Sequence, residues 1–274
     1  GRSLEKIQFH RTLTASATQD YLYQCLKPHT SLVCLDFSHQ GISRNDAKAI
    51  GKVLTDFKGV RELHLRDSNL QQQTIKEIAD GLMRAKQLEL IDISENTGIS
   101  TSVSSVLYNL AFSPKIRHID ISELQNGDNA ENAETITKLV KISGSLEVLN
   151  LRNTAIPKKL GTDFFKALGE NKTLKYLNLD SGDAFSDSST SKLLGKAVAM
   201  NAYRNGSMEA LSCAGCIRDN QIKEFLAGLQ ISEKDHEVWY GDASIANKME
   251  KEQLRTKMYC NLKFFNPRNG RYVN

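Results

Sequence analysis

One pattern constrains this 274-residue chain more than any other: an apolar triplet of the form L-x-x-L-x-L returns at a near-fixed interval. It reads Leu4, Ile7, Phe9, then Leu32, Leu35, Phe37; Val60, Leu63, Leu65; Leu88, Ile91, Ile93; and Ile116, Ile119, Ile121. These five starts lie 28 residues apart. Leu146, Leu149, Leu151 follow after 30 residues, Leu174, Leu177, Leu179 after 28, and Met208, Leu211, Cys213 after 34. A period of this size marks a solenoid. One such unit cannot bury its own apolar face, so units must stack into a continuous core.

Each unit has the same anatomy. The L-x-L core predicts a short strand, with alternate side chains on opposite faces. A turn follows, with a small or polar residue eight positions after the first apolar residue: Ser68, Asn96, Thr154, Cys216. An apolar anchor comes next, at Ile42, Leu70, Ile99 and Ile156, and a stretch of helical period closes the unit. In the second unit Ala47, Ile50, Val53 and Leu54 recur at helical spacing. Asn45, Thr74, Ser102 and Thr162 are the expected N-caps, because their oxygens can accept the unpaired N–H groups of a first turn.

This 28-residue strand–helix unit resembles the ribonuclease-inhibitor type of leucine-rich repeat, over roughly residues 4–230. The resemblance implies an α/β fold: a right-handed solenoid, or horseshoe, with a concave parallel sheet and helices on the convex side. Relatives of this type include ribonuclease inhibitor, the activator of the Ran GTPase, tropomodulin, and the capping-protein regulators that link actin to myosin I. About eight units are expected over residues 1–231. A degenerate capping strand is expected over 232–247, around His236-EVWYGD, and a basic helix and tail over 248–274. The apolar spacing of Ile245, Met249, Leu254, Met258 and Leu262 extends that final helix over Ser244 to Phe265, with an extended end beyond it.

The register also predicts which side chains face outward. Inside L-x-L runs the column Gln8, Asp36, His64, Asp92, Asp120, Asn150, Asn178, Ser212. Before it runs Lys6, Cys34, Glu62, Leu90, His118, Val148, Tyr176, Ala210, and after it come Arg66 and Arg152 among others. Neighbouring strands lie about 4.8 Å apart, so these columns merge into one surface. An apolar strip of Leu90, Val148 and Tyr176 beside acidic points at Asp36, Asp92 and Asp120 suits a protein ligand with aliphatic and basic side chains. The expected partner-binding set is Asp36, His64, Arg66, Leu90, Asp92, His118, Asp120, Val148, Asn150, Arg152, Tyr176 and Asn178.

Chemistry is harder to find. Cys213-Ala-Gly-Cys216 is a C-x-x-C, but its cysteines fall on the last strand position and on the small turn position, so a structural role is expected. Cys25, Cys34 and Cys260 have no metal-motif spacing, the six histidines do not cluster, and His64 and His118 lie two units apart. No phosphate-binding glycine loop or nucleophile elbow is present. Asp92 and Asp120 are neighbours like a carboxylate pair, yet an open sheet offers no pocket. No catalytic residue, metal or cofactor is expected.

Charge narrows the partners. The net +4 divides into +5 from Lys248 onward, with seven Lys/Arg against two Glu, and −1 for the rest. A nearly neutral body lacks the concentrated basic face that nucleic acid needs. No run of 18 apolar residues occurs, so a membrane partner is not expected. The opening GRSLEKIQFH shows no apolar leader, and five cysteines suit a reducing compartment, so a cytoplasmic setting is expected. The sequons at Asn171 and Asn205 are accordingly not expected to carry sugar.

The function expected is a non-catalytic interaction module or scaffold subunit of a larger complex. It would hold a protein ligand on the concave sheet or edge loops, and the resemblance implies a cytoskeletal assembly as one setting. Two alternatives are a GTPase activator like the Ran regulator, with Arg66 and Arg152 meeting a nucleotide site, and a repeat fragment of a larger receptor or ligase adaptor.

Overall fold

The computed structural model describes residues 4–9, 19–29, 31–100, 102–124, 130–180, 188–205, 207–213, 217, 221–229, 264–266 and 271–273. Among the described residues, the eight three-residue strands of one sheet alternate with eight α-helices. The strands are β1 Lys6–Gln8, β2 Cys34–Asp36, β3 Glu62–His64, β4 Leu90–Asp92, β5 His118–Asp120, β6 Val148–Asn150, β7 Tyr176–Asn178 and β8 Ala210–Ser212. The helices are α1 Gln19–Leu26, α2 Arg44–Asp56, α3 Gln72–Leu82, α4 Val103–Ala111, α5 Ala130–Ile142, α6 Thr162–Glu170, α7 Ser188–Asn205 and α8 Ile222–Leu229. The eight strands form one sheet in sequence order, every pair parallel. The helices form a second layer, each packed on the next. The chain folds as a leucine-rich-repeat solenoid.

The repeat interval sets the strand register directly. Leu35 pairs with Leu63, Leu63 with Ile91, Ile91 with Ile119, Ile119 with Leu149, Leu149 with Leu177, and Leu177 with Leu211. All of these central residues are at most 2% exposed. They point inward because a one-residue slip would turn every apolar side chain to solvent. On β1, the first strand in the sheet order, and just after it, Ile7 and Phe9 are only partly buried, and Phe9 stacks on Phe37 with ring centroids 4.8 Å apart.

The turn after each strand is built from polar side chains. His39, Asp67, Glu95, Glu123 and Asn153 occupy one position in five successive units, and all have left-handed backbone, with φ between 47° and 60°. The N–H of each donates to a carbonyl of the next unit: Arg66, Ser94, Ser122, Arg152 and Asp180 in turn. The predicted polar turn position lies just behind. Asn96, 1% exposed, accepts from the N–H groups of Ser68 and Leu70, and its amide donates to the carbonyls of Leu65, Ile93 and Ser94. Buried backbone groups need partners, and this one amide reaches five of them, its two N–H groups shared among three carbonyls. Ser68 and Thr154 play smaller versions of this part, donating to the carbonyls of Phe37 and Leu151.

Helix starts depart from expectation. Ser43, not Asn45, caps α2: its oxygen accepts from the Asp46 N–H at 3.2 Å, and Asp46 Oδ2 accepts the Ser43 N–H at 3.0 Å. Such a capping box satisfies two orphan donors at once, which a lone Asn cannot. Gln71 precedes α3, and Thr74 lies inside it, where its hydroxyl accepts the Gln71 N–H at 2.7 Å. Gly161 precedes α6, so Thr162 is the first helical residue. Ser102 does precede α4 but makes no capping bond.

Gly51 of α2 and Gly81 of α3 let two helix backbones touch. A Cβ on Gly51 would lie 2.6 Å from the Glu77 carbonyl oxygen, and one on Gly81 would strike Gly51. The Asn171 amide is committed within the fold: it is 6% exposed and donates to the Val140 carbonyl at 2.7 Å, which leaves that sequon closed. Near the C-terminus, β9 Phe264–Asn266 pairs antiparallel with β10 Arg271–Val273. This corrects the expected helix, whose end at Phe264 and Phe265 is strand instead. The rest of that helix, and the capping strand around His236, lie outside the described residues.

Candidate functional site

The outward face of the sheet carries the expected columns in their expected order. Cross-strand pairs run Asp36–His64, His64–Asp92, Asp92–Asp120, Asp120–Asn150 and Asn150–Asn178. Beside them run Leu90–His118, His118–Val148 and Val148–Tyr176. Arg66 and Arg152 lie at the strand ends and are exposed. Eleven of the twelve expected partner-binding residues are half-buried or exposed; Asp36 alone is buried, at 8%.

The acidic points have a structural task. Asp92 Oδ1 accepts the Ser94 N–H at 2.9 Å and its hydroxyl at 2.6 Å. Asp120 Oδ1 accepts the Ser122 N–H and hydroxyl at 2.9 and 2.7 Å, while its Oδ2 accepts from Asn150 Nδ2 at 2.8 Å. Asp36 accepts the Ser38 N–H, Asn150 the Arg152 N–H, and Asn178 the Asp180 N–H. Each is an Asx-type turn, in which a carbonyl-like side-chain oxygen closes the chain on itself. The carboxylates therefore fasten the exit of each strand as well as adding negative charge to the face.

The preceding column is free of that duty. Leu90 and Val148 are half-buried, and Tyr176 is 44% exposed. The Tyr176 hydroxyl donates to Glu209 at 2.6 Å, which pushes the phenol above its ordinary range. His118 lies between Leu90 and Val148. Burial lowers its pKa below the ordinary imidazole value, outweighing the opposing pull of Asp120 and Asp92.

Ion pairs frame the face on both sides. Along the strand entries run Arg61–Glu89 at 3.4 Å, Arg117–Glu147 at 3.4 Å and Lys175–Glu147 at 2.9 Å. Along the exits run Arg66–Glu95 at 2.5 Å and Arg152–Glu123 at 3.3 Å, beside a His39–Asp67 hydrogen bond at 3.0 Å. Arg66 and Arg152 are thus paired within the chain. Surface pairs of this kind contribute little to stability and can be exchanged for a partner's charges at small cost.

A third group escaped the sequence reading. Cys34, Glu62 and His64 meet on β2 and β3, their ligand atoms all within 4.8 Å of one another. Burial first, and then the hydrogen bond to Glu62, push the Cys34 thiol up to about 11. The signal was present as a separation of one repeat, which places Cys34 directly opposite Glu62. A search for contiguous motifs passes over such a pair.

No protein-family model matches the chain, and no curated protein matches it. Among solved structures it is similar to the C-terminal domain of tropomodulin from Caenorhabditis elegans, with 12% sequence identity and a TM-score of 0.40. That likeness covers 69% of this chain and 95% of the other. Superposition of that quality carries no functional argument. Among the described residues, no helix is long and apolar enough to cross a membrane.

Proposed function

We propose that the chain is a non-catalytic interaction module that holds a protein ligand on its concave sheet. One observation carries this reading: Leu90, His118, Val148 and Tyr176 stand side by side on four adjacent strands and form a partly apolar strip. The strip is flanked on one side by the Asp/Asn column and framed by exchangeable ion pairs. Interfaces are commonly organised this way, with a desolvated centre holding an aromatic anchor and a polar rim. Solenoids use their extended curved surfaces for such contacts. The ribonuclease-inhibitor repeat type, a scaffold role within a larger complex, and a cytoplasmic, cytoskeleton-associated setting belong to this proposal. Their support is the resemblance of the repeat.

The experiment compares wild type with Val148→Arg/Tyr176→Ala in quantitative capture from source-cell lysate, followed by hydrogen-exchange mapping of the complex. Replacing Asp92 and Asp120 would be the wrong choice, since both fasten turns. A partner retained by wild type, lost by the folded double variant and protecting β4–β7 supports the proposal. A partner held equally by both proteins, with protection confined to the helices, sinks it.

A further inference from the structure

The Cys34–Glu62–His64 group has an arrangement that turn formation does not account for. Five other units place Asp or Asn in the central column, and each closes its turn by accepting a backbone N–H: Asp36, Asp92, Asp120, Asn150 and Asn178. His64 makes no such bond among the described contacts. Its Nε2 instead lies 3.5 Å from Glu62 Oε2 on the same strand face. Cys34 stands opposite Glu62 on the neighbouring strand, 5% exposed.

Zinc in a tetrahedral site takes nitrogen and oxygen at about 2.0–2.1 Å and sulfur at about 2.3 Å. Those bonds at a tetrahedral angle put the ligand atoms about 3.3–3.7 Å from one another. The imidazole–carboxylate distance already has that value, and all three atoms fall within 4.8 Å. All three residues stand on paired strands rather than on loops, so the backbone holds their mutual spacing. The donor set of one sulfur, one nitrogen and one oxygen favours zinc or cobalt over magnesium or calcium, which want oxygen alone. Thiolate and carboxylate would neutralise the ion. Asp36, opposite His64, adds negative charge nearby, and Lys6, opposite Cys34, opposes it from β1.

We propose that Cys34, Glu62 and His64 bind a zinc-class divalent cation, with a fourth coordination position open to water on the concave side. The inference stands apart from the docking proposal, since the two rest on different strands.

The test uses the full chain, freed of metal by chelation and titrated with cobalt(II) as a spectroscopic stand-in for zinc. The expected result is one equivalent of cobalt giving a thiolate-to-metal charge-transfer band and tetrahedral d–d bands, both removed by added zinc. Cys34→Ser should abolish the charge-transfer band. Glu62→Gln and His64→Asn should weaken binding by more than about tenfold, since even changes to the outer-shell partners of a metal ligand cost that much. His64→Asn installs the residue type that closes the turns after β6 and β7, so it keeps the fold, which circular dichroism verifies. Cys213→Ser/Cys216→Ser should leave the spectrum unchanged. A wild-type chain without the band, a band that survives Cys34→Ser, or one lost only in the Cys213/Cys216 variant would overturn the proposal.

Discussion

Two columns of side chains run in parallel over the same sheet, two residues apart along each strand, and they do different work. The Asp and Asn residues of the central column turn back on their own backbone and lock each strand exit. Leu90, Val148 and Tyr176, two positions earlier in each strand, close no turn. Exposure does not separate the two groups, because Asp92, Asp120, Leu90 and Val148 are all half-buried. What separates them is where the oxygen atoms go. The lesson for any repeat surface is that polar residues at a strand end can belong to the fold, while apolar ones beside them are left for a ligand.

The sharpest test of this division lies just behind the central column. Asn96→Leu keeps approximate size but strands two N–H groups and the carbonyls of Leu65 and Ile93 in a buried turn, while the Ser94 carbonyl keeps its bond from the Asp67 N–H. Partial rearrangement will rescue some of them, so a loss of about 3–5 kcal/mol is expected at 1–3 kcal/mol per unsatisfied group. Urea unfolding followed by circular dichroism measures it, and a loss below about 1 kcal/mol would break the account of the turn.

Next in size is Asp120→Ala, with an expected cost of about 1–3 kcal/mol from lost charge-assisted hydrogen bonds. Asp120→Asn should cost less than half as much, because an amide oxygen still accepts the turn N–H, as Asn150 and Asn178 do. Equal effects of the two substitutions would mean that charge, not turn closure, is what Asp120 contributes. The opposite column should behave in reverse. Tyr176→Ala is expected to stay within about 0.5 kcal/mol of wild type in stability. If the docking proposal holds, the same change weakens the captured partner at least about tenfold, as an aromatic anchor does. Calorimetric titration against that partner reads it.

The smallest effect concerns acidity. Burial holds the folded pKa of His118 below its unfolded value. The unfolded chain therefore binds the proton more readily, so this residue favours folding above its unfolded pKa. That contribution is lost as pH falls through the unfolded value toward the folded one. His118→Gln should flatten the decline in melting temperature between neutral pH and about pH 5, measured in matched buffers. A steeper decline in the variant would mean that Asp92 and Asp120 dominate the imidazole.

Much of this architecture was legible in the chain itself, because a period of 28 residues leaves little freedom in how strands align. Both outward columns follow from it in order, except that on β2 Cys34 and Asp36 are buried where the register predicts outward-facing side chains. The role of the acidic residues was harder to read, although a signal existed: Asp36-Phe-Ser38, Asp92-Ile-Ser94 and Asp120-Ile-Ser122 repeat one Asp-x-Ser unit. Its meaning depends on backbone direction after the strand, which composition does not carry. Helix starts shifted for a similar reason, since Ser43 outcompetes Asn45 through reciprocal bonds with Asp46. At the C-terminus a helical spacing of apolar residues coexists with Phe264–Asn266 in an antiparallel pair. Alternation and helical period overlap in so short a run, and tertiary pairing decides between them.

The side-chain bonds that fasten one unit to the next also determine how the chain finds its shape. Asn96 reaches Leu65, Asn132 reaches Ser100, and Asn201 reaches Leu168, each about one unit away. A typical closure thus spans about a tenth of the chain, within the range of rapidly folding helical bundles rather than of slow all-β sandwiches. Assembly can begin at any well-made pair of units and spread outward in both directions, without a long-range search. The same locality means that whole units can be added or removed during evolution with no need to re-route the rest.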